Sequence, residues 1–169
     1  HLRGRIEWGG GWNLTARSPM GGLGSIVEME IYLRGKQNMM NKHSAEIAIE
    51  LIKRNIQALN NRDQSVLLDC FHIPHVRISE SDTLIYNSRE QLEDNYWKDF
   101  IARAGAEWDH TVLDWAEPMH ASEQKAHIFI QWSRCRSDDT IITTQKALWI
   151  VNKRCGIWGV QARSSFAPE

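Results

Sequence analysis

Residues 125–166 read KAHIFIQWSRCRSDDTIITTQKALWIVNKRCGIWGVQARSSF, and the fold turns on how they are read. Three runs, Lys125–Arg136, Thr140–Asn152 and Ile157–Phe166, alternate in polarity and are rich in β-branched and aromatic residues, as half-buried strands are. Asp138-Asp139 and Lys153-Arg154-Cys155-Gly156 supply the turns between them. A fourth run of the same kind, Trp108–Met119, precedes them. Four long strands on short connections make an antiparallel meander, because a parallel crossover needs a dozen or more residues between strands.

Upstream the period changes. Between Ala45 and Leu59, residues Ala48, Leu51, Ile52, Asn55, Ile56 and Leu59 recur on one helical stripe, with the charged residues largely elsewhere. Asp63 is placed to cap a short second helix running to Cys70 and ended by Pro74. His75–Ser79 and Thr83–Asn87 flank the turn-rich Glu80-Ser81-Asp82 as a small hairpin. Ser88-Arg89-Glu90-Gln91 has the form of a capping box, followed at four-residue steps by Leu92, Tyr96, Phe100 and Ala104, and Gly105 closes this third helix. The chain is therefore expected to be α+β, in the order α-α-β-β-α-β-β-β-β. A cone-shaped, curved antiparallel sheet of four long strands plus a short hairpin wraps around three helices and leaves a pocket between them.

Residues 1–40 differ from the rest: glycines are frequent, no period is clear and the first residue is His rather than Met. They are expected to be a leader or upstream segment outside the core fold, with Ile26–Leu33 adding at most an edge strand or short helix, and 41–169 to form one domain.

Composition excludes several classes of function. The 169 residues are 42% hydrophobic and 24% charged, enough for a single buried core. Twenty basic residues face 21 acidic ones, and no stretch concentrates Lys and Arg, so nucleic acid is not an expected partner. No apolar run approaches the ~20 residues that span a bilayer. Cys70, Cys135 and Cys155 are odd in number and flanked by no metal-ligand pattern, which argues against a disulfide framework or a metal site and suits a reducing cytoplasm. Eight tryptophans are many for this length; they fill a wide core or line a cavity with flat apolar walls.

The order of elements over Ser44–Phe166, with the segments Phe71-His72-Ile73-Pro74-His75-Val76-Arg77 and Trp158-Gly159-Val160-Gln161-Ala162-Arg163-Ser164-Ser165-Phe166, resembles the nuclear transport factor 2-like superfamily, in an uncharacterised bacterial branch. That superfamily includes ketosteroid isomerase, scytalone dehydratase, limonene epoxide hydrolase and polyketide cyclases. The resemblance implies a pocket for a small, largely apolar molecule, no cofactor, and pairing as a homodimer. Ketosteroid isomerase chemistry does not carry over. Its helix tyrosine falls at Asn55, its penultimate-strand aspartate at Ala147, and its base near Ser79 or Arg77.

Strand parity selects the candidate site. Ile128, Ile130 and Trp132 share a face with Arg134; Gln145, Ala147 and Trp149 are placed inward on the next strand, and Trp158, Val160, Ala162 and Ser164 on the last. Asn55, Gln145 and Arg134 are the polar residues in this apolar wall, where they either orient a ligand's oxygen atoms or bond one another or the backbone. Tyr96, on the stripe of the third helix, either presents its hydroxyl to the pocket or only packs. His75, with Arg77 and Ser79, and His110, with Asp114, are the acid–base candidates, since histidine's ordinary pKa of ~6.5 lies nearest neutrality. Four residues of strand span ~13 Å, so Asp114 and His110 are no dyad and each needs a partner on a neighbouring element. His127, Gln131, Phe129, Gln161 and Arg163 are assigned to the outer face, the expected dimer surface. Three functions fit. One is a cofactor-independent lyase, isomerase or hydrolase, with a histidine moving a proton and Arg134 or Arg77 steadying negative charge. The others are a non-catalytic ligand-binding module and an interaction module whose pocket is filled by its own tryptophans.

Overall fold

The structure, a computed structural model, describes residues 24–166. The chain divides into two compact units, residues 1–35 and 36–169. Helix α1 (Gly24–Asn60) begins in the first and continues into the second. It starts well ahead of the expected Ala45, and Ile26–Leu33 is helical. Ile26, Val27, Met29, Ile31, Tyr32 and Leu33 are all exposed and lie around the helix rather than along a stripe, so no amphipathic period marks it.

In the second unit, α2 (Gln64–Asp69), β1 (Phe71–Ile78), β2 (Thr83–Tyr86), α3 (Arg89–Ala104), β3 (His110–Ala121), β4 (Lys125–Cys135), β5 (Ile141–Arg154) and β6 (Ile157–Ser165) follow in the expected order. The strands form one curved, unclosed sheet in the order β2-β1-β6-β5-β4-β3. The meander β3–β6 is antiparallel throughout. One pair departs from an all-antiparallel sheet: β6 returns beside β1 and runs parallel to it.

Local chemistry sets these boundaries. Asp63 Oδ1 accepts from the Val66 amide at 3.1 Å and starts α2. That helix runs to Asp69 with Cys70 as its C-cap, close to the expected end, but Pro74 is not its stop; the chain passes directly into β1, with Pro74 inside the strand on a cis peptide bond. Proline gives a sheet no donor, and β1 shifts register against β6 between Phe71 and Val76, around that residue. At α3, Ser88 Oγ accepts from Gln91 N at 3.2 Å. Gln91 Oε1 reaches back to Asn87 N at 2.8 Å, one residue beyond the usual partner in a capping box. Cys155 (φ 49°) and Gly156 (φ 82°) form the two-residue turn between paired Arg154 and Ile157, where both central residues need positive φ.

The helical stripes and the inner sheet face make the core. Ala48 and Ile52 of α1, Leu67 of α2, Leu92 of α3, and Ile128, Ile130, Val151 and Val160 of the sheet are inaccessible to solvent. Each buried Ile, Leu or Val contributes about 1.5–3 kcal/mol.

Candidate functional site

Beyond that core the helices and the sheet separate around a cavity of about 70 Å³. Flat apolar walls come from Phe100 and Tyr96 of α3, Trp132 of β4 and Trp149 of β5, with Ile56, Leu59 and Ala147 completing them. Its charged groups are all cationic, beside the uncharged Asn55, Thr111, Ser165 and the Tyr96 hydroxyl. Arg77 from β1, Arg103 from α3, Arg134 from β4 and Arg163 from β6 all line it, and no Asp, Glu or His does among the described residues.

Two of these guanidiniums are held in fixed orientations. Arg163 lies over three rings, 5.0 Å from Phe71, 5.1 Å from Trp149 and 5.5 Å from Tyr96. Its Nη1 donates to the Tyr96 hydroxyl at 3.2 Å, while Nε and Nη2 are buried without a hydrogen-bond partner. Arg134 lies 5.0 Å from the Trp132 ring and 5.6 Å from Phe100, and its Nη1 donates to the Arg103 carbonyl oxygen at 2.6 Å. Burial, with the positive charges of Arg103 and Arg77, lowers its pKa to about 10, so it stays charged at neutral pH. Arg77 is buried and has an interaction of its own. Asp99, one turn before Arg103 on α3, accepts instead from the Tyr86 hydroxyl at 2.8 Å.

Asn55 is buried on the α1 wall, and its Nδ2 reaches no acceptor at hydrogen-bond geometry. Its amide bears on the Cys70 thiol, which burial pushes up in pKa while Arg54 and Asn55 partly offset that rise.

Of the residues singled out from sequence, Asn55, Arg77, Tyr96, Trp132, Arg134 and Trp149 meet at this cavity. His75, His110, Asp114, Gln145 and Trp158 are not among the side chains lining it. His75 is wholly buried between Phe71 (ring centroids 4.3 Å) and Tyr86 (6.2 Å), with Nδ1 3.2 Å from the Val160 carbonyl oxygen. Burial holds its pKa well below 6.5, reinforced by the charge of Arg163. His110 sits between two carboxylates, Asp109 at 3.0 Å and Asp139 at 3.4 Å. Asp114 is on the outer face, accepting from Ser133 Oγ at 2.9 Å and Gln131 Nε2 at 3.2 Å. Gln145 donates to Thr143 Oγ1 at 3.3 Å, and Trp158 is half-buried.

Sequence reasoning misplaced Arg163 and overlooked Arg103. On β6, Val160 pairs with Val151 and Ala162 with Ile150, so Gln161 is one residue too many, a β-bulge. Strict alternation puts Ala162 and Ser164 inside; the extra residue reverses the faces, so Arg163 and Ser165 line the cavity instead. Arg103 had a legible signal, falling three residues after Phe100 and seven after Tyr96 on the inward stripe of α3.

Three helices against a curved, unclosed six-stranded sheet, with a cavity between them, define the nuclear transport factor 2-like fold, also described as cystatin-like. Among solved structures, a protein of unknown function with a cystatin-like fold from Nostoc punctiforme superposes with a TM-score of 0.58 at 17% identity, over 72% of this chain and 88% of that one. A nuclear transport factor 2-like protein of unknown function from Pseudomonas putida gives 0.57 at 19% identity, over 75% and 87%. The β subunit of the benzoate 1,2-dioxygenase from Burkholderia mallei gives 0.51 at 15% identity, over 72% and 88%. At such identities the likeness is one of fold. No protein-family model matches the sequence, and no curated protein matches it.

Proposed function

We propose that this protein is a small-molecule-binding module whose cavity takes a small ligand with a flat apolar body, seated against Trp132, Trp149, Phe100 and Tyr96. The observation that carries the reading is the composition of the wall: aromatic rings and guanidiniums, without a histidine or carboxylate side chain among the described residues. Proton-transfer catalysis needs an acid or base within reach of the substrate. His75 and His110 are both bonded away from the cavity, so binding is favoured over a histidine-driven lyase, isomerase or hydrolase. At roughly 10–15 Å³ per water, the cavity has room for about five waters. That corresponds to about half a dozen non-hydrogen atoms of ligand, with more at the mouth.

On the outer sheet face Trp115 and Phe129 meet edge to face at 5.3 Å and remain half-buried, which supports a homodimer through this surface. Light scattering during size exclusion tests it: a stable particle of 19.5 kDa, the mass of one chain, rejects the dimer. Cys70, Cys135 and Cys155 are free thiols, as suits a cytoplasmic protein, and no described helix is long and apolar enough to cross a membrane.

A thermal-shift screen of small ring compounds, repeated on Ala147→Phe, tests the binding reading. Ala147 is a buried wall residue, so the larger side chain occupies ligand space. A ligand at 100 times its Kd stabilises wild type by about 2.7 kcal/mol. Hits that stabilise wild type and lose their effect in Ala147→Phe support the reading; the same shift in both proteins overturns it.

A further inference from the structure

Resting on that binding reading, we infer that the cavity selects an anion, a small organic carboxylate, and that Arg163 with Arg134 forms the receptor for its charged end. Arg163 of β6 and Arg134 of β4 bring two positive charges to the wall of a cavity that no carboxylate lines among the described residues. Such charge is tolerated best when an opposite charge completes it.

The geometry of Arg163 says which anion. The Nε–H and Nη2–H of a guanidinium lie on one edge and point the same way, the fork that matches the two oxygens of a carboxylate. On Arg163 that edge is the unpartnered one. Nη1 is occupied by the Tyr96 hydroxyl, and the flat faces are packed by Phe71, Tyr96 and Trp149. Buried donors in proteins almost always have an acceptor, and here the described residues provide none. Arg134 is likewise immobilised, by the Arg103 carbonyl on one side and the Trp132 and Phe100 rings on the other.

The rest of the wall argues for an organic acid over an inorganic oxyanion. Ile56, Leu59, Ala147, Trp132 and Trp149 leave most of the surface unable to hydrogen-bond, which suits one charged end and an apolar body. A single-ring monocarboxylate meets both requirements.

Calorimetric titration of the full chain with phenylacetate, phenylacetamide and inorganic phosphate is the test, repeated on Arg163→Met and Arg163→Lys. The expected result is an acid bound at least about 10-fold more tightly than its isosteric amide. Arg163→Met is expected to lose about 10- to 100-fold in affinity for the acid, and Arg163→Lys to keep part of it, charge without the fork. Equal binding of acid and amide overturns the anion inference while leaving the cavity reading intact. Binding of neither by wild type overturns both. Phosphate binding as tightly as phenylacetate overturns the carboxylate assignment, and undiminished acid binding by both folded variants removes Arg163 from the receptor. Should Arg163→Met fail to fold, the acid–amide comparison on wild type and the Arg163→Lys titration still decide.

Discussion

Substituting Gly159 by alanine tests the clamp that supports the β6 bulge, and with it the inward turn of Arg163. A Cβ at Gly159 would stand 2.7 Å from His72 Nδ1 and 2.8 Å from both Cδ2 and Cε1, closer than non-bonded atoms tolerate. Backbone and ring cannot both stay. His72 Nε2 donates to the Asn152 carbonyl oxygen at 3.1 Å, Asn152 Nδ2 donates to Gln161 Oε1 at 3.4 Å, and Gln161 Nε2 donates to the Pro74 carbonyl. This chain of contacts ties β5, β6 and β1 together around the extra residue. Expelling the ring forfeits one hydrogen bond, about 0.5–1.5 kcal/mol, and any backbone shift that spares it carries the cost of overpacking, about 1–3 kcal/mol. Gly159→Ala is therefore expected to lower unfolding free energy by about 1–3 kcal/mol in urea titrations. The discriminating measurement is a double-mutant cycle with His72→Ala, which removes the obstructing ring. In that background the added methyl should cost little, giving a coupling of about 1 kcal/mol or more. Costs that add to within about 0.5 kcal/mol would show that the ring is not what excludes the methyl, and the clamp argument would fall.

Two further outcomes follow from the buried histidine and the tight turn. Because folding lowers the pKa of His75, the unfolded chain takes up the proton first as pH falls. Stability is then complete above ~6.5 and declines below it, by up to about 1.4 kcal/mol per pH unit until the folded pKa is reached. His75→Gln should flatten this slope in unfolding curves between pH 7 and 5, leaving the part due to His127, whose pKa burial and Lys125 shift the same way; an unchanged slope refutes the assignment. At Cys155, with φ at 49°, Asn accepts the left-handed conformation more readily than Cys, so Cys155→Asn should gain about 0.5 kcal/mol and Cys155→Val lose about 1 kcal/mol or more. Equal thermal midpoints for all three proteins would contradict a two-residue turn with both φ values positive.

The fold was legible because its decisive signals are local. The Leu92-Tyr96-Phe100-Ala104 stripe, the Ser88 cap and the inward alternation of Ile128, Ile130, Ala147 and Trp149 on β4 and β5 each depend on residues within a few positions, and each reappears in place. The approach of β6 to β1 was not legible, since nothing in either strand's pattern distinguishes a parallel neighbour from an antiparallel one. The site was half legible for the same reason. Trp132, Arg134 and Trp149 sit on regular stretches where parity works, whereas Arg163 lies beyond a bulge, and one unpaired residue inverts every later side chain. The histidines drew attention through their ordinary pKa, yet His75 is buried between Phe71 and Tyr86 and does not line the cavity.

Net charge concealed the site as well. A chain of formal charge −1 gives no sign of a cationic interior, because a sum over the whole chain does not say where its charges sit. Glu107 pairs with Arg136, Asp69 and Glu93 with Arg89, and Glu50 with Lys53, all of them exposed and each worth at most about 1 kcal/mol. Those surface pairs leave Arg134 and Arg163 untouched, on the wall of a cavity lined by no Asp or Glu among the described residues. Discrimination between an acid and its amide would then arise inside the cavity, where solvent screens little, rather than during approach. Salt at 0.1 M, with a screening length of about 10 Å, should accordingly change association rates only slightly and leave most of the acid's advantage in place.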